Sequence, residues 1–310
     1  MTLPPLLRDR LSLPLIGSPM FIISQPDLVI AQCRSGIVGA FPSLNARPSG
    51  MFEQWLQQLG EALTEQDAPF AVNLIVHRTN TRLEEDLELC VRYRVPIVIT
   101  SLGAREDVNQ AIHSYGGIVL HDVINNMFAR KAVEKGADGL IAVAAGAGGH
   151  AGTLSPFALV QEIRQWFDGP LALSGAIATG RAIAAARMMG ADLGYMGTPF
   201  IATQEANAEA AYKQMIVDGS AADIVYSDVF TGVLGNYLRP SIVAAGLDPD
   251  ALPKAKDMDF ASLTGGEKKA WRDVWGAGQG IGAIAKVQPA ADFIAGLKAQ
   301  YRAAVEGFTA

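Results

Sequence analysis

Charge is sparse in this 310-residue chain. Charged side chains make up 18% of it, and 25 Lys and Arg stand against 31 Asp and Glu, for a net charge of −6. Without a basic excess there is no electrostatic footprint for a phosphate backbone, so nucleic-acid binding is excluded as a first reading. Cysteine is nearly missing: Cys33 and Cys90 are too far apart for metal-ligand or redox spacing and read as inert thiols buried in helical segments. The four histidines are scattered, with no helical or turn-linked ligand pair, so no metal site is expected. Long apolar runs are lacking too. The longest uncharged stretch, Gly139 to Gln161, holds five glycines, a histidine and a proline, and reads as strand, loop and helix start rather than a membrane span. The opening MTLPPLLRDR has neither the basic flank nor the apolar core of a signal peptide, and a cytoplasmic location is the expectation. There is no GxSxG elbow, Walker loop or paired-cysteine motif, which removes the usual support for hydrolase and nucleotide-triphosphatase readings.

Half of the residues are apolar, enough for a large core. Short apolar, β-branched runs recur at 13–20, 36–41, 70–76, 96–101, 117–123, 139–145, 169–175 and 191–197. Runs apolar almost throughout suit parallel strands buried on both faces, and the segments between most of them carry helical spacing and stops. Asp122 is expected to cap a helix with Val123, Met127 and Val133 on one face and Gly136 at its end; Thr179 and Gly190 bracket another. Eight βα units favour a closed barrel over an open sheet. The expected fold is α/β, a (β/α)8 TIM barrel with a small helical lid domain inserted after strand 8. Residues 1–205 and 283–310 would form the barrel and 206–282 the lid, with KAKDMD and GGEKK as its most solvated stretches. The tail from Pro289 to Gly307 is amphipathic, with Phe293, Leu297, Tyr301 and Val305 on one stripe, and should pack back on the barrel.

Barrel enzymes carry their functional residues at the C-terminal ends of strands and in the loops beyond. After the seventh run comes SGAIATGR (174–181), and after the eighth MGTPFIAT (196–203). Small residues there leave backbone N–H groups free to converge on an anion. Any one of Gly175, Gly180 and Gly197 serves a tight turn equally well, but two such loops in the two usual places point to a phosphate site. The sixth run leads into AAGAGGHAGTLS (144–155), where His150 lies among glycines that admit a flat ligand. An imidazole there suits proton abstraction or hydrogen bonding to a developing anion. His77 and His121 end the third and fifth runs and are weaker candidates, and His113 reads as a solvated helix-end residue. GAGQGIGA (276–283) matches a dinucleotide fingerprint without a βαβ context and is read as accidental.

Together, SPM (18–20), VNL (72–74), GAGGHAGT (146–153), SGAIATGR (174–181) and MGTPF (196–200) resemble the nitronate monooxygenase family, also called 2-nitropropane dioxygenases, which are FMN-dependent barrels. TGVLGNYLRPSI (231–242) is similar to the family's lid segment. The resemblance implies that Ser18, Pro19 and Met20 lie against the flavin ring, that Asn73 bonds its edge, that Gly149 passes near it, and that His150 is the catalytic histidine. Ser174, Gly175, Gly197 and Thr198 would hold the FMN phosphate. It also implies a reaction: oxidation of alkyl nitronates by O2 to nitrite and a carbonyl compound. Three departures stand out. His121 occupies a place near the flavin's N1–C2 edge where relatives often carry lysine, Pro199 replaces a frequent arginine, and Ala176 replaces a glycine.

The implied partners are a small-molecule electron donor and O2, with neither nucleic acid nor membrane; a homodimer is left open. Two flavin barrels of the same superfamily share the glycine-flanked histidine: an NAD(P)H:quinone reductase and a flavin-type enoyl-acyl-carrier-protein reductase. From other classes come a non-redox barrel acting on a phosphorylated metabolite and a non-catalytic flavin binder.

Overall fold

All eight apolar runs are strands in the computed structural model, which describes residues 3–48, 50–252 and 274–309. They are β1 (Leu15–Gly17), β2 (Gly39–Pro42), β3 (Phe70–Ile75), β4 (Ile97–Ser101), β5 (Ile118–Val123), β6 (Gly139–Val143), β8 (Leu171–Ser174) and β9 (Leu193–Met196); a two-residue strand, β7 (Gly149–His150), lies outside the barrel. The eight pair in parallel in the order β1-β9-β8-β6-β5-β4-β3-β2. The two ends meet at a parallel bridge between Ile16 and Val38, where Gly17 N donates to Val38 O at 2.7 Å and Val38 N to Leu15 O at 3.1 Å. The chain is therefore a (β/α)8 barrel.

Strand alternation divides the apolar residues between two layers. Ile16, Ala40, Ala71, Ile97, Ile99, Leu120, Ile141, Ala172 and Leu193 fill the barrel interior. Their neighbours Leu15, Val72, Val98, Val119, Leu140 and Leu171 face the helices. A short α1 (Pro5–Arg8) adds Leu7 to the interior cluster. The crossovers are α2 (Pro26–Arg34), α3 (Met51–Ala62), α4 (Leu83–Arg92), α5 (Glu106–His113), α6 (Asn126–Glu134), α7 (Pro156–Arg164) and α8 (Gly180–Met188). Cys33 on α2 and Cys90 on α4 are both buried.

The helix signals held where the strand ended before the cap. Thr179 accepts from Ala182 N at 3.1 Å, and Gly136 and Gly190 take the left-handed φ of 91° and 109° expected after helices. Asp122 does not cap α6. β5 runs on to Val123, so Asp122 is a pleat residue, and Asn125 is the cap, accepting from Phe128 N at 2.9 Å. Ala129 and Ala132 form the buried face of α6, while Met127 is exposed.

After β9 come a one-turn α9 (Thr198–Ile201), then α10 (Ala210–Asp218) and α11 (Arg239–Ala244). Beyond the helices expected in this segment, two strands form: β10 (Ile224–Ser227) pairs antiparallel with β11 (Gly235–Leu238). β11 also pairs with β7, Gly235 opposite His150 and Asn236 opposite Gly149. Phe230, Tyr237, Ile242 and Val274 give this region its own small core. The KAKDMD and GGEKK stretches lie outside the described residues. The last helix, α12 (Ala290–Thr309), packs against α8 and α2 with Ile294 and Leu297 buried; the stripe ends before Val305, which is exposed. Gly180 allows that contact, since a Cβ there would come within 2.1 Å of Leu297 O. Among the described residues no helix is long and apolar enough to cross a membrane.

Candidate active site

One cavity of about 1740 Å³ opens at the C-terminal end of the barrel strands. It exceeds the few hundred to roughly 1,000 Å³ of a typical single-ligand pocket, leaving room for a cofactor and a substrate together. All the residues expected at a site line it: Ser18, Pro19, Met20, Asn73, His121, Gly149, His150, Ser174, Gly175, Gly197 and Thr198. They reach it from the ends of five of the eight barrel strands and from β7.

The floor is the top layer of the barrel interior. Asn73, Ser101, Asp122, Ser174 and Tyr195 continue the inward-facing rows of their strands. Asn73 Nδ2 donates to Ile99 O at 3.0 Å and to Ser101 Oγ at 2.8 Å, and Ser101 Oγ donates to Asp122 Oδ2 at 2.6 Å. Burial pushes the Asp122 carboxyl up to about 6, against the Ser101 bond, which favours the anion. The exposure Asp122 retains is to the cavity. Tyr195, which bonds Ser18, is held above the usual phenol range by burial and by the negative charge of Asp122. His121 has the opposite parity on β5. Its Nδ1 lies 2.6 Å from Thr100 Oγ1, and burial lowers its pKa to about 4.

The first loop is held by a residue with no site signal in the sequence. Asn45 accepts from Ile22 N at 2.8 Å and donates to Met20 O at 3.0 Å and Ser24 O at 2.8 Å. These bonds pin the turn after Ser18-Pro19-Met20, in which Ile22 adopts φ 68°, a costly conformation for a β-branched residue.

The wall at the seventh and eighth barrel strands is built from backbone. Gly148 lies so close to the 276–283 segment that a Cβ would meet Gly278 N at 2.8 Å and Thr198 Oγ1 at 3.1 Å. Gly278 N donates to Thr198 Oγ1 at 2.8 Å, and Gly146 O accepts from both Ala176 N at 3.2 Å and Gln279 N at 2.9 Å. Ala176 takes φ 55°, so the loop keeps the left-handed turn that a glycine would make without strain. Pro199 is at the start of α9, where its missing N–H is no loss. Three loops with close-set backbone and a helix start fit a phosphate cradle. The GAGQGIGA segment forms a 3-10 turn, Gln279–Ala283, and among the described residues no barrel strand leads into it. Its contacts with Gly146, Gly148 and Thr198 close this wall.

His150 is half-buried and lines the same cavity. Its backbone is in β7, fastened to β11, and its Nε2 lies 3.1 Å from Thr231 Oγ1. Burial lowers its pKa to about 4, so the ring is neutral at neutral pH. His77 also lines the cavity, with Nδ1 2.9 Å from Thr79 Oγ1, whereas His113 is paired with Asp138 at 2.8 Å on the outer surface. No group of His, Cys, Asp and Glu among the described residues could hold a metal ion.

Several residues that shape or support the cavity had no reading as such in the sequence: Ser101, Asp122, Thr231, Asn45 and Gly278. For Ser101 and Asp122 the signal was present, since both share parity with apolar interior residues two and four positions earlier. For Asn45, Thr231 and Gly278 no local signal exists, because each acts on a segment distant in sequence.

A nitronate monooxygenase from Paraburkholderia phytofirmans is 25% identical to this chain, covering 94% of it and 93% of the relative. Among solved structures, a nitroalkane oxidase from Streptomyces ansochromogenes superposes with a TM-score of 0.83 at 23% identity, over 98% of this chain and 99% of that one. FabK from Thermotoga maritima superposes with a TM-score of 0.79 at 24% identity, over 98% and 96%. These two likenesses establish the shared barrel. The nitronate monooxygenase family model matches residues 8–300, and the chain accordingly belongs to the nitronate monooxygenase family of flavin-dependent oxidoreductases.

Proposed function

We propose that the protein binds FMN and oxidises alkyl nitronates with O2, releasing nitrite and a carbonyl compound. The observation that carries this reading is that a half-buried imidazole at position 150 and the close-set backbone around Gly148, Thr198 and Gly278 line one cavity. In this reading Ser174, Gly175, Gly197 and Thr198 hold the FMN phosphate, Ser18, Pro19, Met20 and Gly149 lie against the ring, and Asn73 and His121 border it. The segment 206–282 serves as a lid and substrate domain over the barrel formed by 1–205 and 283–310. FMN, when bound, supplies the electron acceptor and the site of reaction with O2.

The chain's own residues account for substrate choice. A desolvated imidazole with its pKa lowered to about 4 is a weak base, so it is poorly suited to strip a carbon-bound proton from a neutral nitroalkane. It is well suited to meet an anion that has already lost that proton. A nitronate beside it raises the affinity of the ring for a proton and gains a charge-assisted hydrogen bond. Thr231 on the inserted segment fixes the ring from one side, and the β7–β11 pairing fixes its backbone. Covering the cavity also excludes water, which strengthens every such interaction.

The test is a spectrum of the purified protein followed by anaerobic mixing. The expected result is a flavin spectrum that bleaches with alkyl nitronate and is indifferent to NADH and NADPH. Rapid bleaching by a reduced nicotinamide instead would convert the reading to a reductase. A colourless protein that takes up no added FMN would point to a phosphorylated metabolite as the ligand of the cradle.

A further inference from the structure

Asp122 is the carboxyl on the floor of the cavity and has no part in the proposed reaction. Its position follows from strand parity: Ile118 and Leu120 precede it in the barrel interior, so its side chain rises at the top of the same row. The hydrogen bonds around it run in one direction. Asn73 commits both amide hydrogens, to Ile99 O and Ser101 Oγ, which leaves the Ser101 hydroxyl proton for Asp122 Oδ2 at 2.6 Å. The carboxyl is thus joined through one hydroxyl to Asn73, two strands away along the rim.

The groups around Asp122 do not neutralise it. β4 offers the Ser101 hydroxyl, β6 the apolar Val143, β9 the Tyr195 phenol, and the turn after β1 offers Ser18, which bonds that phenol. His121 precedes it with the opposite strand parity, its ring bonded to Thr100, and His150 lines the same cavity with its pKa lowered by burial. Lys131 also lines the cavity, and among the described residues Asp122 forms no ion pair with it or with any other cation. A carboxyl in such a place is pushed up to about 6 by burial, within reach of ordinary solution pH.

We propose that Asp122 is a proton-holding group on the cavity floor whose change of charge adds its own break to the pH dependence of a bound flavin's reduction potential. The proposal rests on the flavin reading of the cavity. A flavin ring gains negative charge when it takes electrons from a donor. An ionised Asp122 opposes that gain, and a protonated one does not; the proton is exchanged with solvent, and the electrons come from the reductant. The carboxyl therefore holds the potential down at alkaline pH and releases it in mild acid.

Reduction potentials of the FMN-loaded protein, measured by spectroelectrochemical titration from pH 5 to 8.5, test this in the wild type, Asp122→Asn and Ser101→Ala. At pH 8 the Asp122→Asn protein is expected to hold its first electron at least tenfold more tightly than the wild type, about 59 mV. The two are expected to converge at pH 5. Ser101→Ala removes a bond that favours the anion, so its break is expected at higher pH than in the wild type; this arm stands even if Asp122→Asn does not fold. Superposable wild-type and Asp122→Asn curves, or an unmoved break in Ser101→Ala, overturn the proposal while leaving the flavin reading intact. A wild-type protein that takes up no FMN overturns the flavin reading and this proposal with it.

Discussion

Thr198 Oγ1 bonds Gly278 and, under the proposed FMN reading, also the phosphate, so Thr198→Val is expected to lose both contacts, each with its own readout. In the structure Oγ1 accepts from the buried Gly278 N–H at 2.8 Å, and Thr198 is 9% exposed. Valine keeps the shape and removes the acceptor, leaving a buried donor unpaired at a cost of about 1–3 kcal/mol. That cost falls on the apoprotein. At roughly 2–4 °C per kcal/mol for chains of ~200 residues, melting of the apoprotein should drop by a few degrees. The second loss is on ligand binding. A hydrogen bond to a charged phosphate contributes about 1.5–3 kcal/mol, so FMN affinity should fall by roughly 10- to 150-fold. Fluorescence quenching of FMN gives the Kd, and differential scanning fluorimetry of the apoprotein gives the melting shift. Thr198→Ser keeps the oxygen and should restore both. An FMN Kd equal to that of the wild type in Thr198→Val would refute the phosphate role, and an unchanged apoprotein Tm would refute the clamp on the 276–283 segment.

His150→Asn should keep bound flavin and lose most nitronate turnover, and full steady-state activity in that variant would remove the histidine from the mechanism. Asn45→Ala breaks three hydrogen bonds to the turn after Met20 and should weaken FMN binding at least several-fold with the barrel still folded, as read by titration alongside far-UV circular dichroism. Ala176→Gly relieves a left-handed conformation costing about 1–2 kcal/mol, offset by about 0.4–1 kcal/mol of glycine entropy, so apoprotein stability should be unchanged or slightly raised in denaturant melts; a clear loss would contradict the φ of 55°. The pH dependence of apoprotein stability carries opposing contributions. His121 and His150, lowered from 6.5 to about 4, contribute stability that is fully present above 6.5 and lost as pH falls toward 4. Asp122, raised from 3.8 to about 6, contributes stability that is full below 3.8 and lost as pH rises through 6. Two histidines outweigh one carboxyl, so Tm should fall between pH 6 and 4, less so in His150→Asn and more so in Asp122→Asn.

The barrel was legible because its signals are local. Eight apolar runs of the right length, most of them followed by helical spacing, point to parallel strands, and every one contains a strand of the sheet. The glycine-rich loops at 144–155, 174–181 and 196–203 were legible for the same reason: a barrel puts strand ends on one face, so loops that are distant in sequence must meet. Asp122 shows where local reading stops. A polar residue after an apolar run signals either a helix cap or the last pleat of a strand, and only the pairing of Asp122 with Ile141 and Val123 with Ala142 decides for the pleat.

The sequence by itself determined the closed βα barrel, the loops that face one cavity, and an imidazole among glycines at their centre. The tertiary structure alone decided how that imidazole is held, because Thr231 lies 81 positions from His150 and β11 pairs with β7 across a comparable gap. It also decided that the 276–283 segment closes the wall beside the seventh and eighth barrel strands and that a carboxyl stands on the floor. Such contacts join segments whose own periodicity contains no record of the partner, so they exist only once the chain has packed.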